Sequence, residues 1–262
     1  MPKLDTLLLR VKNPGRQNAF YRRVFGMSEQ GLERLGYGSR ELAVRFLQGD
    51  EAYTPQPSDL FWKITISVPN IELAYDQLKA KGVTVEEPSQ FRDVGYLAQA
   101  YDPEGFNVEI IEHWFKGHRP RSTADANLLG GGPHISLLTL RASDISTLQP
   151  EILEAGMKPL SVQPVEPYGF TLYFYAFTDE MPPKPQFEAI ENRTWVYQRP
   201  YTVLEIQHVA ELNCETEPSH LAAGYVGAEL SQCDGVVQIP RLKIQGGRWT
   251  LLQSLDPVRL RL

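Results

Sequence analysis

The stretch Tyr101-Asp102-Pro103-Glu104-Gly105-Phe106-Asn107-Val108-Glu109-Ile110-Ile111 decides how this chain is read. Asp102-Pro103-Glu104-Gly105 has turn chemistry, because proline presets φ after the first position and glycine accepts the positive φ that closes the turn. The residues that follow alternate with period 2, the mark of a strand with one buried face. Val108 and Ile110 point one way, and Asn107, Glu109 and Ile111 point the other. A carboxylate in the middle of an apolar strand is costly unless it is paired or serves a site. Glu109 therefore needs a partner.

The segments before and after this strand repeat one design. Leu7, Leu9 and Val11 alternate with their neighbours as a strand, Asn13 caps a helix with Pro14 at its first position, and Gly26 closes it. Ile64, Ile66 and Val68 form a second such strand. Asn70 caps a helix whose apolar stripe is Ile71, Ala74, Tyr75 and Leu78, and Gly82 ends it. A third copy starts at His134 and stops at Gly156. Asp144 is its available cap, and Pro150 argues for a late helix start near Gln149. Each copy spans about 20 residues from strand to glycine and is followed by more strands, which reads as an internal βαβββ repeat. The segment 201–209 closes the third copy and places Glu205 as Glu109 is placed in the second.

Between the second and third copies, residues 116–132 are rich in Lys, Arg, His and Gly and read as a linker. The fold expected is α+β: tandem βαβββ modules in two domains, residues 1–115 and 133–262. The last module is degraded, because no helical period appears after Leu212. Strands are expected at 225–230, 236–239, 242–245 and 248–252, with Gly246-Gly247 as a hairpin turn. A long insertion, 179–200, contains Pro182, Pro183 and Pro185 and reads as a lid or binding loop.

Composition excludes several classes. The 262-residue chain has a net charge of −6, which offers no electrostatic footprint for nucleic acid. No apolar run approaches the ~20 residues of a membrane helix, and the first residues lack a signal-peptide pattern. Two cysteines give neither a disulfide framework nor a metal knuckle, so a reducing, cytoplasmic setting is the default.

The paired modules, the helix end Asn18-Ala19-Phe20-Tyr21…Gly26-Met27, and Asp102-Pro103-Glu104-Gly105 followed by Glu109 resemble the vicinal oxygen chelate superfamily. That group includes glyoxalase I, bleomycin-resistance proteins and extradiol dioxygenases. The resemblance covers 4–113, extends less closely over 133–210 and fades beyond. It implies a cleft formed by paired modules, with metal ligands on the first and last strands of each. Thr6 and Lys63 stand where relatives hold His or Gln, and about Arg45 falls at the last-strand position of the first module. The resemblance therefore implies no metal in the first domain, where Lys63 and Arg45 face Glu109 either as a buried ion pair or as a cationic cleft for an anionic ligand.

In the second domain the resemblance places His134 and Glu205 at ligand positions. One divalent ion (zinc, nickel, manganese or iron) is expected there, with Glu205 as ligand or catalytic base. The alternative is a direct hydrogen bond between the two side chains. Gln207 shares the face of Glu205, His208 faces away, and Arg199 and Tyr201 are further candidate ligand-binding residues. The function expected is binding of a small oxygenated or anionic molecule, with metal-dependent lyase or dioxygenase chemistry in the second domain. The other reading is metal-free sequestration without catalysis. Partners expected are a small molecule and neither nucleic acid nor membrane; a homodimer stays open.

Overall fold

The structure is a computed structural model that describes residues 2–121, 124–166, 168–210, 223–231, 241–245 and 248–252, the last two segments by backbone alone. Three βαβββ modules are present. The first comprises β1 (Lys3–Val11), α1 (Pro14–Phe20), a π-helical turn (Tyr21–Phe25), β2 (Ser28–Glu29), β3 (Leu35–Gly36) and β4 (Ala43–Gln48). The second comprises β5 (Phe61–Val68), α2 (Ile71–Ala80), β6 (Ser89–Phe91), β7 (Gly95–Tyr101) and β8 (Asn107–Glu112). The third comprises β9 (His134–Ala142), α3 (Ile145–Glu154), β10 (Lys158–Val165), β11 (Phe170–Ala176), an inserted α4 (Ile190–Tyr197) and β12 (Val203–His208). Strands β13 (Gly224–Ser231), β14 (Arg241–Gln245) and β15 (Arg248–Leu252) follow.

The repeat is visible in the caps. Asn13, Asn70 and Asp144 each accept a backbone N–H of the first helical turn, the ordinary N-cap bond. Gly26, Gly82 and Gly156 follow the three helix ends with φ of 74°, 73° and 94°, where a side chain would be strained. One expectation fails here. Helix α3 begins directly after Asp144, and Pro150 lies inside it. The Asp144 carboxylate bonds both Ser146 N and Thr147 N. Pro150, the sixth helical residue, forgoes one intrahelical N–H bond, and the doubly bonded cap at Asp144 still starts the helix.

In each module the first strand runs parallel to the last: β1 with β4, β5 with β8, β9 with β12. Modules join through antiparallel pairing of their first strands, but not in the expected order. Strand β5 pairs with β9, and β1 pairs with β13. The second and third modules thus share one eight-stranded sheet, while the first module shares a seven-stranded sheet with the last three strands. Strands therefore pair across the boundary between the expected domains 1–115 and 133–262. An open βαβββ unit leaves its first strand unpaired on one side, and any other module's first strand can satisfy it. Local sequence does not choose between them.

The connection 116–132 is also more than a tether. Gly130 N donates to Gln77 Oε1 at 2.8 Å, Asn70 N donates to Gly130 O at 2.9 Å, and Arg119 pairs with Glu72 at 2.5 Å. A side chain on Gly130 would meet Val68 Cβ at 2.5 Å, so the glycine permits close packing against β5 and α2. The degraded last module has β13–β15 near the expected strands. The expected strand 236–239 and the Gly246-Gly247 turn lie outside the described residues.

The core follows the strand alternation. Ile64, Ile66, Val68, Val108 and Ile110 join the main apolar cluster with α2. On the opposite face of the eight-stranded sheet a second cluster forms around Ile111, Leu137, Leu172, Phe174, Val196 and Tyr197. The latter two come from α4, so the insertion covers the face on which Glu109 lies. Among the described residues no helix is long and apolar enough to cross a membrane.

Candidate functional site

The turn that opens the sequence reading has a structural role beyond its turn. Asp102 Oδ1 accepts Glu104 N and Phe106 N at 2.9 and 3.0 Å, closing the loop. Its other oxygen accepts Gln17 Nε2 at 2.7 Å and Tyr21 Oη at 3.0 Å. Glu104 accepts Lys12 N and Asn13 N, both at 3.2 Å. These two carboxylates tie the first module to the second. Burial pushes the Asp102 carboxyl up to about 6 although the four hydrogen bonds oppose it.

The turn sends β8 into the sheet with Glu109 facing α4. Glu109 stands beside Thr65 on β5, and Glu205 stands beside Thr139 on β9. Since β5 and β9 are neighbours, with Lys63 opposite Thr139, four adjacent strands bring these groups together. Lys63 Nζ lies 2.6 Å from Glu109 Oε1 and 3.7 Å from Glu205 Oε1. Thr65 Oγ1 donates to Glu109 Oε1 at 3.0 Å, and Gln99 Nε2 donates to Glu109 Oε2 at 2.9 Å. All three charged residues are at most 4% exposed, so solvent screens them little.

Burial pushes the Lys63 ammonium down, but attraction to Glu109 and Glu205 outweighs it and the net shift is upward. Glu205 is raised to about 7, by burial first and also by the neighbouring Glu109, against the pull of Lys63. One cation thus serves two carboxylates, and the second carboxyl holds its proton up to near neutrality. Tyr197 of α4 stands over the cluster. Its phenol is held well above the usual range by burial and by the Glu205 charge, and its hydroxyl donates to Val94 O at 2.9 Å. Two polar atoms here make no hydrogen bond within the protein, Gln163 Nε2 and Gln99 Oε1, while Glu205 Oε1 has only the long contact with Lys63 and the neighbouring Thr139.

The remaining candidates are placed as follows. Gln207 lies one step toward the strand end on the same face as Glu205, and its Oε1 accepts from Arg141 Nε at 3.0 Å. Arg141 and Lys63 flank the ring of Trp62 at 5.1 and 4.9 Å, so half-buried Trp62 and Arg141 form the rim. Trp62 was missed in the sequence because strict alternation turns it away from Lys63. A register shift between Phe61 and Lys63 brings it back. Arg45 is a correction: it belongs to the seven-stranded sheet, beside Leu8, and pairs with Glu33 at 3.4 Å, so it supplies no charge to Glu109. Arg199 stacks on Trp195 at 4.3 Å and pairs with Glu180 at 2.5 Å. Tyr201 packs with the α4 cluster. His208 Nε2 lies 3.2 Å from Ser143 O.

His134 and Glu205 are not brought together. Glu205 is in register with Thr139, five positions along β9 from His134, or about 16 Å at ~3.3 Å per residue. The helix caps give the reason. Thr6 and Lys63 each precede their cap, Asn13 and Asn70, by seven positions, and the same step back from Asp144 reaches Leu137. The third module thus has an apolar residue at the matching place, and Leu137 packs in the second cluster. Nor do the cleft residues suit a divalent ion. Leu137 offers no donor, and Lys63 puts an ammonium between the two carboxylates, where a second cation would be repelled. Among the described residues no group of three or more His, Cys, Asp or Glu could hold a metal. A direct His134–Glu205 hydrogen bond is excluded by the same separation.

Residues 3–110 match the family model described as Glyoxalase/Bleomycin resistance protein/Dioxygenase superfamily. Among solved structures the chain is similar to glyoxalase I from Zea mays, at 19% identity and a TM-score of 0.58 over 88% of this chain and 74% of that one. A mutant of the maize enzyme superposes with a TM-score of 0.56 at 19% identity, covering 87% of this chain and 75% of that one. At this identity the likeness concerns the fold. No curated protein matches the sequence.

Proposed function

The chain has the vicinal oxygen chelate fold, and from that premise we propose that it binds a small oxygenated or anionic molecule without a metal, in the cleft of its eight-stranded sheet. The observation that carries this reading is the Lys63 ammonium, 2.6 Å from Glu109 and 3.7 Å from Glu205. It stands where relatives of this fold are expected to place an ion. Supporting it are Gln163 Nε2 and Gln99 Oε1, buried without a hydrogen-bond partner in the protein. Buried polar atoms are nearly always satisfied, so two beside one charged cluster favour an occupant with hydrogen-bonding groups of its own. Gln207 and the Trp62–Arg141 pair lie beside the cluster, and the α4 insertion covers it.

Calorimetric titration of the full chain in excess chelator with catechol, benzoate and inorganic phosphate tests this. Saturable 1:1 binding of at least one probe is expected, weakened tenfold or more by Thr139→Val with the fold retained. Binding seen only after a divalent ion is added, or no binding by any probe, overturns the reading.

A second reading is favoured by Glu205 itself. A carboxyl raised to about 7 is suited to give and take a proton near neutral pH, as in metal-independent acid–base catalysis on the bound molecule. Turnover of a bound probe with a pH profile that breaks near 7 and vanishes in Glu205→Gln would select it.

A further inference from the structure

Two histidines that the cleft does not use lie together at the other end of the same sheet. His113 directly follows β8 and His134 opens β9. Their ring centroids are 5.4 Å apart, with planes tilted by 54°. The Nε2 atom of each is buried and has no hydrogen-bond partner. One orphaned imidazole nitrogen is unusual in a folded protein. Two on adjoining rings call for a shared occupant.

We infer that His113 and His134 form a two-imidazole site for a divalent transition metal of the zinc, nickel or cobalt type. The ring spacing fits. With metal–nitrogen bonds of about 2.0–2.1 Å, each ring centroid stands ~3.2 Å from the ion. Two such rings at the tetrahedral angle are then ~5.2 Å apart, close to the spacing found. Backbone hydrogen bonds at Arg199 and Tyr197 also act on the His134 ring, and metal-binding histidines are commonly oriented by such bonds.

The electrostatics agree. Burial, and for His113 the neighbouring His134, holds His113 down at about 3. Burial holds His134 down at about 4, against the backbone hydrogen bonds. Both rings are therefore neutral, with a free lone pair, at neutral pH. The nearest cation, Arg199, is paired with Glu180, which offsets its repulsion of an ion. Both Nε2 atoms are shielded from bulk solvent, so the ion would have to carry in the waters that complete its shell. Imidazole donors select these metals over magnesium or calcium.

His113 is anchored from two directions. His113 N donates to Val68 O at 3.1 Å, and Gln198 Nε2, just past α4, donates to His113 O at 2.9 Å. An ion here would join the end of the second module, the start of the third and the inserted segment. It is independent of the cleft and does not bear on the binding reading above.

The test uses the full chain, stripped with chelator and dialysed, then titrated with Zn²⁺, Ni²⁺ and Co²⁺, with Mg²⁺ as control. One ion per chain is expected, with a rise in Tm and a Co²⁺ visible spectrum of low coordination number. His113→Gln and His134→Gln should each weaken binding at least tenfold. Should a variant fail to fold, imidazole nitrogen NMR of the unmodified chain replaces it, and Zn²⁺ should move the Nε2 signals of these two rings alone. The absence of saturable binding, affinity unchanged in both folded variants, or shifts confined to other histidines would overturn the inference.

Discussion

Lys63 bridges two modules: its ammonium lies 2.6 Å from Glu109 on β8 and 3.7 Å from Glu205 on β12, strands that flank the β5–β9 pair on opposite sides. Removing it leaves two buried carboxyls with no cation. Lys63→Met should destabilise the chain by about 3–5 kcal/mol, the usual effect of breaking a buried pair. The loss should shrink at low pH, where Glu205 holds its proton. Urea unfolding at pH 5 and pH 8 measures both effects, and an unchanged midpoint at pH 8 would mean that the pair is not load-sharing in the folded state.

Glu205 and His134 should give opposite pH slopes. Glu205 is raised from 4.5 to about 7 in the folded state, so between those values the folded chain holds a proton that the unfolded chain has lost. Stability then falls as pH rises through that window. His134 is lowered from 6.5 to about 4, so the unfolded chain binds the extra proton and stability rises with pH over about 4 to 6.5. Relative to wild type, Glu205→Gln should gain stability as pH rises from 4.5 to 7, and His134→Gln should lose it from 4 to 6.5. Parallel difference curves for the two variants would contradict the assignment.

Asp102 joins the first two modules through Gln17 and Tyr21. Asp102→Ala should strand the tyrosine hydroxyl and the glutamine amide in the core and cost roughly 2–5 kcal/mol. Tyr21→Phe removes one donor and leaves the carboxylate three hydrogen bonds, so it should lose less than half as much. Thermal unfolding of both variants compares them directly.

The α4 cover is held by Asn192, whose amide donates to Lys184 O and Gln186 O at 3.1 and 2.9 Å and whose oxygen accepts Lys184 N at 3.0 Å. Just before it, Phe187 is 39% exposed, whereas the bond after exposed Met181 leads into Pro182 and resists cleavage. Chymotrypsin should cut first within 180–188, ahead of 116–131, and Asn192→Ala should accelerate that cut several-fold. Mass analysis of early fragments reads the order, and first cleavage inside β5 or β8 would contradict it.

Much of this molecule is legible without coordinates. The caps Asn13, Asn70 and Asp144, the glycines 26, 82 and 156, and the alternation around Glu109 all act within one or two turns of chain. Local sterics and hydrogen bonding set their conformations whatever the rest of the molecule does. The partnership of Lys63 with Glu109 is nearly local too, because first and last strands of one module are obliged to pair. The alternation and the cost of a buried carboxylate therefore pointed to it from sequence.

Only the tertiary structure decided which modules share a sheet, and with it the composition of the cleft. Pairing β5 with β9 adds Glu205 to the Lys63–Glu109 pair and moves Arg45 into another sheet. It also sets His134 beside His113, a residue from a connection that carries no periodic signal. Strand edges offer the same backbone donors and acceptors to any partner. The choice rests on the summed burial of faces far apart in sequence, to which no single stretch of residues is tuned.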